Sequence, residues 1–108
     1  MSLVKVLFLI LFFGASLLYA DGGSGKEVFE TYCWGCHHQT AMAFGPPFSQ
    51  IAAKRSAEEI RAMITDPEHV SKVLGYKRNA MPTLHLKPDE LEAITDYILS
   101  YKPKTKGR

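Results

Sequence analysis

The chain has 108 residues, with 13 Lys and Arg against 11 Asp and Glu. A formal charge of +2 gives no indication of strong nucleic-acid binding, and the length sets one domain as the prior. Both cysteines fall within one short motif, which leaves none for a disulfide framework.

Residues 1–5 are short and carry one cation, Lys5. Residues 6–13 form an unbroken apolar run, and residues 14–20 close with small and apolar side chains. This is the pattern of a Sec-type signal peptide over residues 1–20, with cleavage expected after Ala20, although Leu18 is larger than usual three positions back. The rival reading is an uncleaved membrane anchor. Residues 6–20 supply 15 positions, short of the about 20 that a spanning helix needs, so cleavage is favoured. Either way, the domain of residues 21–108 is exported. Removing residues 1–20 takes away Lys5 alone and leaves a net charge of +1.

Residues 21–25 are a flexible, glycine-rich lead-in. Ser24 is placed to cap a helix running through Lys26, Val28, Phe29, Tyr32 and Cys33. Gly25, Phe29 and Cys33 recur every four residues and form one stripe. A glycine on such a stripe marks either the close approach of another backbone or a tolerated helix start.

Cys33-Trp34-Gly35-Cys36-His37 follows. Two thiols three apart, followed at once by an imidazole, form the attachment pattern of a c-type haem. The thiols add across the two vinyl groups as thioethers, and His37 turns its imidazole toward the iron. On a helix, Cys33 and Cys36 share one face, so both sulfurs reach one porphyrin edge. A redox-active or structural disulfide leaves His37 unexplained and lacks the strand–helix context. A zinc site lacks a second cysteine pair. Haem c is attached outside the cytoplasm in bacteria, so an exported, periplasmic domain agrees with the leader. The exported part is small for a self-sufficient core. Buried haem would supply the missing apolar surface, and the haem-free chain is expected to fold poorly.

Residues 38–49 read as loop, because Gly45-Pro46-Pro47 does not suit a helix interior; Phe48 and Ile51 would tuck inward. Ser56-Ala57-Glu58-Glu59 is a capping box. The helix behind it puts Ile60, Met63 and Ile64 on one face and is expected to stop near Asp66-Pro67. Residues 69–75 have room for a short helical turn, and residues 76–86 read as loop. Pro88 opens a last helix with Asp89 and Glu90 at its positive end. Its apolar stripe is Leu91, Ile94, Ile98 and Tyr101, with Tyr97 beside it. Residues 102–108 are a solvated basic tail. The expected fold class is all-α.

Haem iron takes a sixth ligand or keeps an open site. His38, His69, His85, Met42, Met63 and Met81 are the candidates. Met42 and His38 are too near His37 in sequence to cross to the other side of the ring. Met63 sits on a helical apolar stripe, where packing is the default role. Met81 lies in a loop stiffened by Pro82, with enough chain after His37 to wrap over the ring. Reach favours Met81, with His69 and His85 behind it.

These residues resemble a small class I cytochrome c over nearly all of the exported chain. The matching positions are Gly25, Phe29, Cys33, Cys36 and His37, then Gly45-Pro46 with Phe48, then Met81-Pro82, then Ile94 and Tyr97. The resemblance implies a small fold of three to five helices wrapped around one haem c, with the first and last helices crossing where Gly25 and Phe29 meet Ile94 and Tyr97. It also implies that the Pro46 carbonyl accepts a bond from His37 Nδ1–H, fixing the tautomer. Phe48 stands where Leu is frequent, and Lys87 where Ser or Thr precedes the last helix. The function that follows is a periplasmic monomer carrying single electrons between redox partners, without nucleic acid, and at a membrane only if the leader is retained. The alternatives are a haem-bearing subunit of a larger oxidoreductase and a haem protein with an open distal site. Lys54, Arg55, Lys72, Lys77 and Arg78 are the cations expected to guide docking near the haem edge.

Overall fold

The computed structural model describes residues 24–104; the expected signal peptide lies outside the described residues. Among the described residues there are five helical segments and no strand. Ser24 starts α1 (Gly25–Val28) through a capping box, its hydroxyl accepting from Glu27 N–H while the Glu27 carboxylate accepts from Ser24 N–H. The helix then widens into a π-helical turn over Phe29–Cys33, in which Trp34 N–H donates to the Phe29 carbonyl at 2.8 Å. The turn presents Val28, Phe29 and Cys33 to the interior.

The helix ends there, so Cys33 is its last residue and Cys36 stands beyond it. Cys36 and His37 follow in a turn in which both N–H groups donate to the Cys33 carbonyl, at 3.1 and 2.9 Å. Gly35, a poor helix former, sits at the centre of that turn.

The remaining helices are α2 (Phe48–Lys54), α3 (Ala57–Thr65), α4 (Pro67–Val73) and α5 (Pro88–Leu99). α1 crosses α5, as expected. A Cβ on Gly25 would overlap the Tyr97 side chain and the Ala93 carbonyl, so the glycine is there for close approach. Phe29 lies 5.9 Å from the Tyr97 ring, and Ile94 is fully buried in the crossing. Burying side chains of this size contributes about 1.5–3 kcal/mol each.

α2 forms where the Gly45-Pro46-Pro47 pattern predicts loop through residue 49. It has no capping side chain. Its first N–H groups are satisfied instead by loop carbonyls: Phe48 N–H donates to His38 and Ser49 N–H to Gln39, at 2.9 and 3.0 Å. Phe48 and Ala52 are buried beneath it.

α3 begins at the expected capping box, with Ser56 and Glu59 bonded reciprocally. Ile60 and Ile64 are buried, and Met63 is half-buried. Asp66-Pro67 ends α3 as expected but also begins α4, two residues before the anticipated turn. Asp66 accepts from His69 N–H, and Pro67 occupies the first turn, where its missing N–H costs nothing. α4 stops at Gly75, whose φ of +87° suits glycine. There Gly75 N–H donates to Lys72 and Tyr76 N–H to Ser71, the paired bonds of a Schellman ending.

Residues 76–87 form the expected loop, tied to α3 where Leu84 N–H donates to the Ile64 carbonyl. α5 opens with Pro88, and Glu90 accepts from Lys87 N–H at 3.0 Å. Its buried face is Ile94 and Ile98 with Thr95, whose hydroxyl is satisfied by the Leu91 carbonyl at 2.7 Å. Val28, Phe29, Cys33, Phe48, Ile60, Ile64, Ile94 and Ile98 form one core, and Met81, Leu84 and Leu86 of the loop pack against it. Among the described residues, no helix is long and apolar enough to cross a membrane.

Candidate functional site

His37 is held on three sides. Its Nδ1 lies 2.8 Å from the Pro46 carbonyl oxygen. A carbonyl can only accept, so Nδ1 carries the proton and the lone pair resides on Nε2. Phe48 stacks on the ring at 5.7 Å, inclined by 29°. Gly45 passes so close that a Cβ there would come within 2.5 Å of the imidazole Cε1. The same glycine is strapped to the motif, donating its N–H to the Cys36 carbonyl at 2.6 Å. Residues 37–46 thus form a closed loop that leaves one imidazole nitrogen free to bind a metal.

His38, next along, has a different job. Its Nδ1 accepts from the N–H groups of Thr40 and Ala41, at 3.1 and 3.0 Å. It shapes the loop and is exposed.

Both cysteines are free thiols, Cys33 buried and Cys36 exposed. Burial pushes the Cys33 thiol up to about 11, with the neighbouring Cys36 adding to the shift. A redox-active cysteine pair needs the opposite, a depressed thiol. A thioether carries no charge in either oxidation state of a bound iron, so it suits a buried Cys33 better than a thiolate does. Among the described residues, no three His, Cys, Asp or Glu side chains gather into a metal-binding set.

Met81 is half-buried and packs against the core that contains Cys33. It also lines a cleft of about 410 Å³, with Pro67, Glu68 and Ser71 on one wall and Lys77, Arg78 and Asn79 on another. Cys33, Cys36 and His37 stand outside the lining of this cleft. Of the other candidate ligands, His69, His85 and Met42 are exposed, and Met63 is half-buried on α3.

Asn79, which the sequence reading passed over, bonds both backbone groups of Met81. Its Nδ2 donates to the Met81 carbonyl and its Oδ1 accepts from Met81 N–H, both at 3.1 Å. The signal was available, since Asn side chains favour bonds to the backbone two residues on.

Arg55 is not one of the free cations. Its guanidinium stacks 5.2 Å from the Tyr76 ring and bonds the Tyr76 hydroxyl at 3.3 Å, and it pairs with Glu59 at 3.7 Å. Its buried Nε–H has no acceptor among the described residues, and Tyr76 beside it lines the cleft. Lys54, Lys72, Lys77 and Arg78 are exposed.

The donor set fits a covalently held haem. Two unpaired thiols precede an oriented imidazole with a free Nε2, and the Met81 thioether packs against the same core as Cys33. No curated protein and no solved structure matches the chain. A family model described as Cytochrome c matches residues 23–102, from the lead-in to the end of the last helix. That span takes in the attachment motif, the Gly45-Pro46 strap, the Met81 loop and the helix crossing, so the chain belongs to the cytochrome c family, whose cofactor is covalently attached haem c and whose chemistry is haem-based electron transfer.

Proposed function

We propose that this chain is a class I cytochrome c with His37 and Met81 as axial ligands, exported to a bacterial periplasm and carrying single electrons between transient redox partners. The observation that carries the reading is Met81, the sulfur candidate beyond the motif that packs on the core containing Cys33. The apolar run of residues 6–13 supports export.

Haem c supplies a reversible one-electron couple at its iron. The chain's part is to anchor the ring through Cys33 and Cys36, orient the His37 imidazole, and offer Met81 from the facing loop. A soft, uncharged thioether favours Fe(II) and raises the potential relative to two imidazoles. Were His37 and Met81 both to ligate the iron, no position would remain for a substrate, which suits a carrier. Lys72, Lys77 and Arg78, exposed around the Met81 cleft, are the cations that would guide docking.

The test is spectroscopic. Oxidised protein is expected to show the weak near-infrared sulfur-to-iron band, and reduced protein is expected not to bind carbon monoxide at neutral pH. Met81→Ala should abolish the band and lower the potential. If Met81→Ala leaves both unchanged while His69→Ala or His85→Ala alters them, the axial assignment is wrong. Hydrodynamic size in a native extract distinguishes a free carrier from a subunit.

A further inference from the structure

The geometry points to Asn79 as the positioning residue for Met81, an inference that rests on Met81 being the sixth ligand. Three constraints converge on this methionine. Pro82 restricts the backbone of the residue before it to extended conformations. The Met81 side chain packs against the core. The Asn79 amide takes both Met81 backbone groups at once, donating from Nδ2 to the carbonyl and accepting at Oδ1 from the N–H, each at 3.1 Å.

In that arrangement the Asn79 side chain acts as a peptide group would in a neighbouring strand. No backbone partner for Met81 appears among the described residues, so the side chain supplies what the loop lacks. The loop contains no helix or strand of its own between Gly75 and Pro88. Its backbone is tied to the helices at Tyr76, five residues before Met81, and at Leu84, three residues beyond it. Freed from Asn79, the Met81 backbone could swing with water as its partner, and the sulfur would move with it.

An iron–thioether bond competes with other ligands, and the competition is decided by how readily the loop opens. Asn79 biases that equilibrium toward the closed loop. The amide is exposed, so its two bonds contribute modestly, and their loss shifts the equilibrium by roughly tenfold. Asn79 therefore sets how firmly the sixth position is closed to outside ligands, without itself touching the iron.

Imidazole titration of the oxidised, haem-loaded protein measures this directly. Asn79→Ala should keep the near-infrared sulfur band in the absence of imidazole and lose it at about tenfold lower imidazole than the wild type. Asn79→Asp keeps the acceptor for Met81 N–H but not the donor, and should fall between the two. A merely structural role would lower the denaturation midpoint and leave the imidazole affinity where it was. That result, in a protein whose wild-type band is present and is abolished by Met81→Ala, overturns the positioning role and leaves the ligand assignment intact. Absence of the band from the wild type overturns both.

Discussion

Pro46 holds His37 by its carbonyl, with the oxygen 2.8 Å from Nδ1 across nine residues of loop. The bond settles which imidazole nitrogen is left for a metal, and it raises the basicity of that nitrogen. Gly45, immediately before Pro46, lets the strand of loop pass against the ring. Phe48, two residues after Pro46, closes the opposite approach by stacking. One short segment therefore orients, supports and tunes a single side chain.

Gly45→Ala tests this cradle. The new methyl group would meet the imidazole at 2.5 Å, inside any normal contact, so either the ring or the loop must shift. Overpacking of this kind costs about 1–3 kcal/mol. The guanidinium midpoint of the haem-loaded protein should fall accordingly, and the yield of loaded protein should drop. A wild-type midpoint and yield would show that the loop gives way without disturbing His37.

Gly25→Ala has an expected sign opposite to the usual one. Replacing glycine by alanine in a compatible conformation stabilises by about 0.4–1 kcal/mol through the unfolded chain. At Gly25 the added carbon would overlap Tyr97 and the Ala93 carbonyl where α1 crosses α5. The steric cost of about 1–3 kcal/mol outweighs the entropic gain, so net destabilisation is expected. A denaturation curve shifted to higher denaturant would contradict this account of the crossing.

Covalent attachment through Cys33 and Cys36 predicts that the protein keeps haem-dependent peroxidase staining in a denaturing gel. Neither thiol is engaged elsewhere in the protein. Acid–acetone should leave the colour with the polypeptide. Cys33→Ser and Cys36→Ser should each reduce the stained fraction, and His37→Ala should leave little coloured protein. Pigment that extracts into acetone from the wild type would dispose of the thioether bonds.

Docking through Lys72, Lys77 and Arg78 predicts an electron-transfer rate with an acidic acceptor that falls as salt rises. These cations are exposed beside the Met81 cleft, whereas Arg55 is occupied by Tyr76 and Glu59. Steering acts over about 8 Å at physiological salt. The double change Lys77→Glu and Arg78→Glu should flatten the salt dependence, and Arg55→Gln should leave its slope unaltered. Equal slopes for the wild type and the double variant would shift the docking site elsewhere.

The sequence alone determined the chemistry and much of the helical frame. Cys33, Cys36 and His37 are legible because attachment needs adjacent groups, and adjacency is written in the chain. The helix cap at Ser24, the capping box at Ser56 and the proline at the start of α5 are local signals in the same sense, and the structure uses all three. Tertiary structure decided whatever depends on partners distant in sequence. α2 went unread because its N-terminal N–H groups are satisfied by the carbonyls of His38 and Gln39, and no side chain announces the cap. The double role of Asp66 was hidden because a proline that ends one helix can equally start the next. Gly25 was ambiguous until Tyr97 was placed against it, 72 residues later in the chain. Arg55 is expected from sequence among the docking cations, and only folding brings Tyr76 under its guanidinium. Local geometry obeys neighbours a few bonds away, while close approach and charge pairing obey neighbours that only folding supplies.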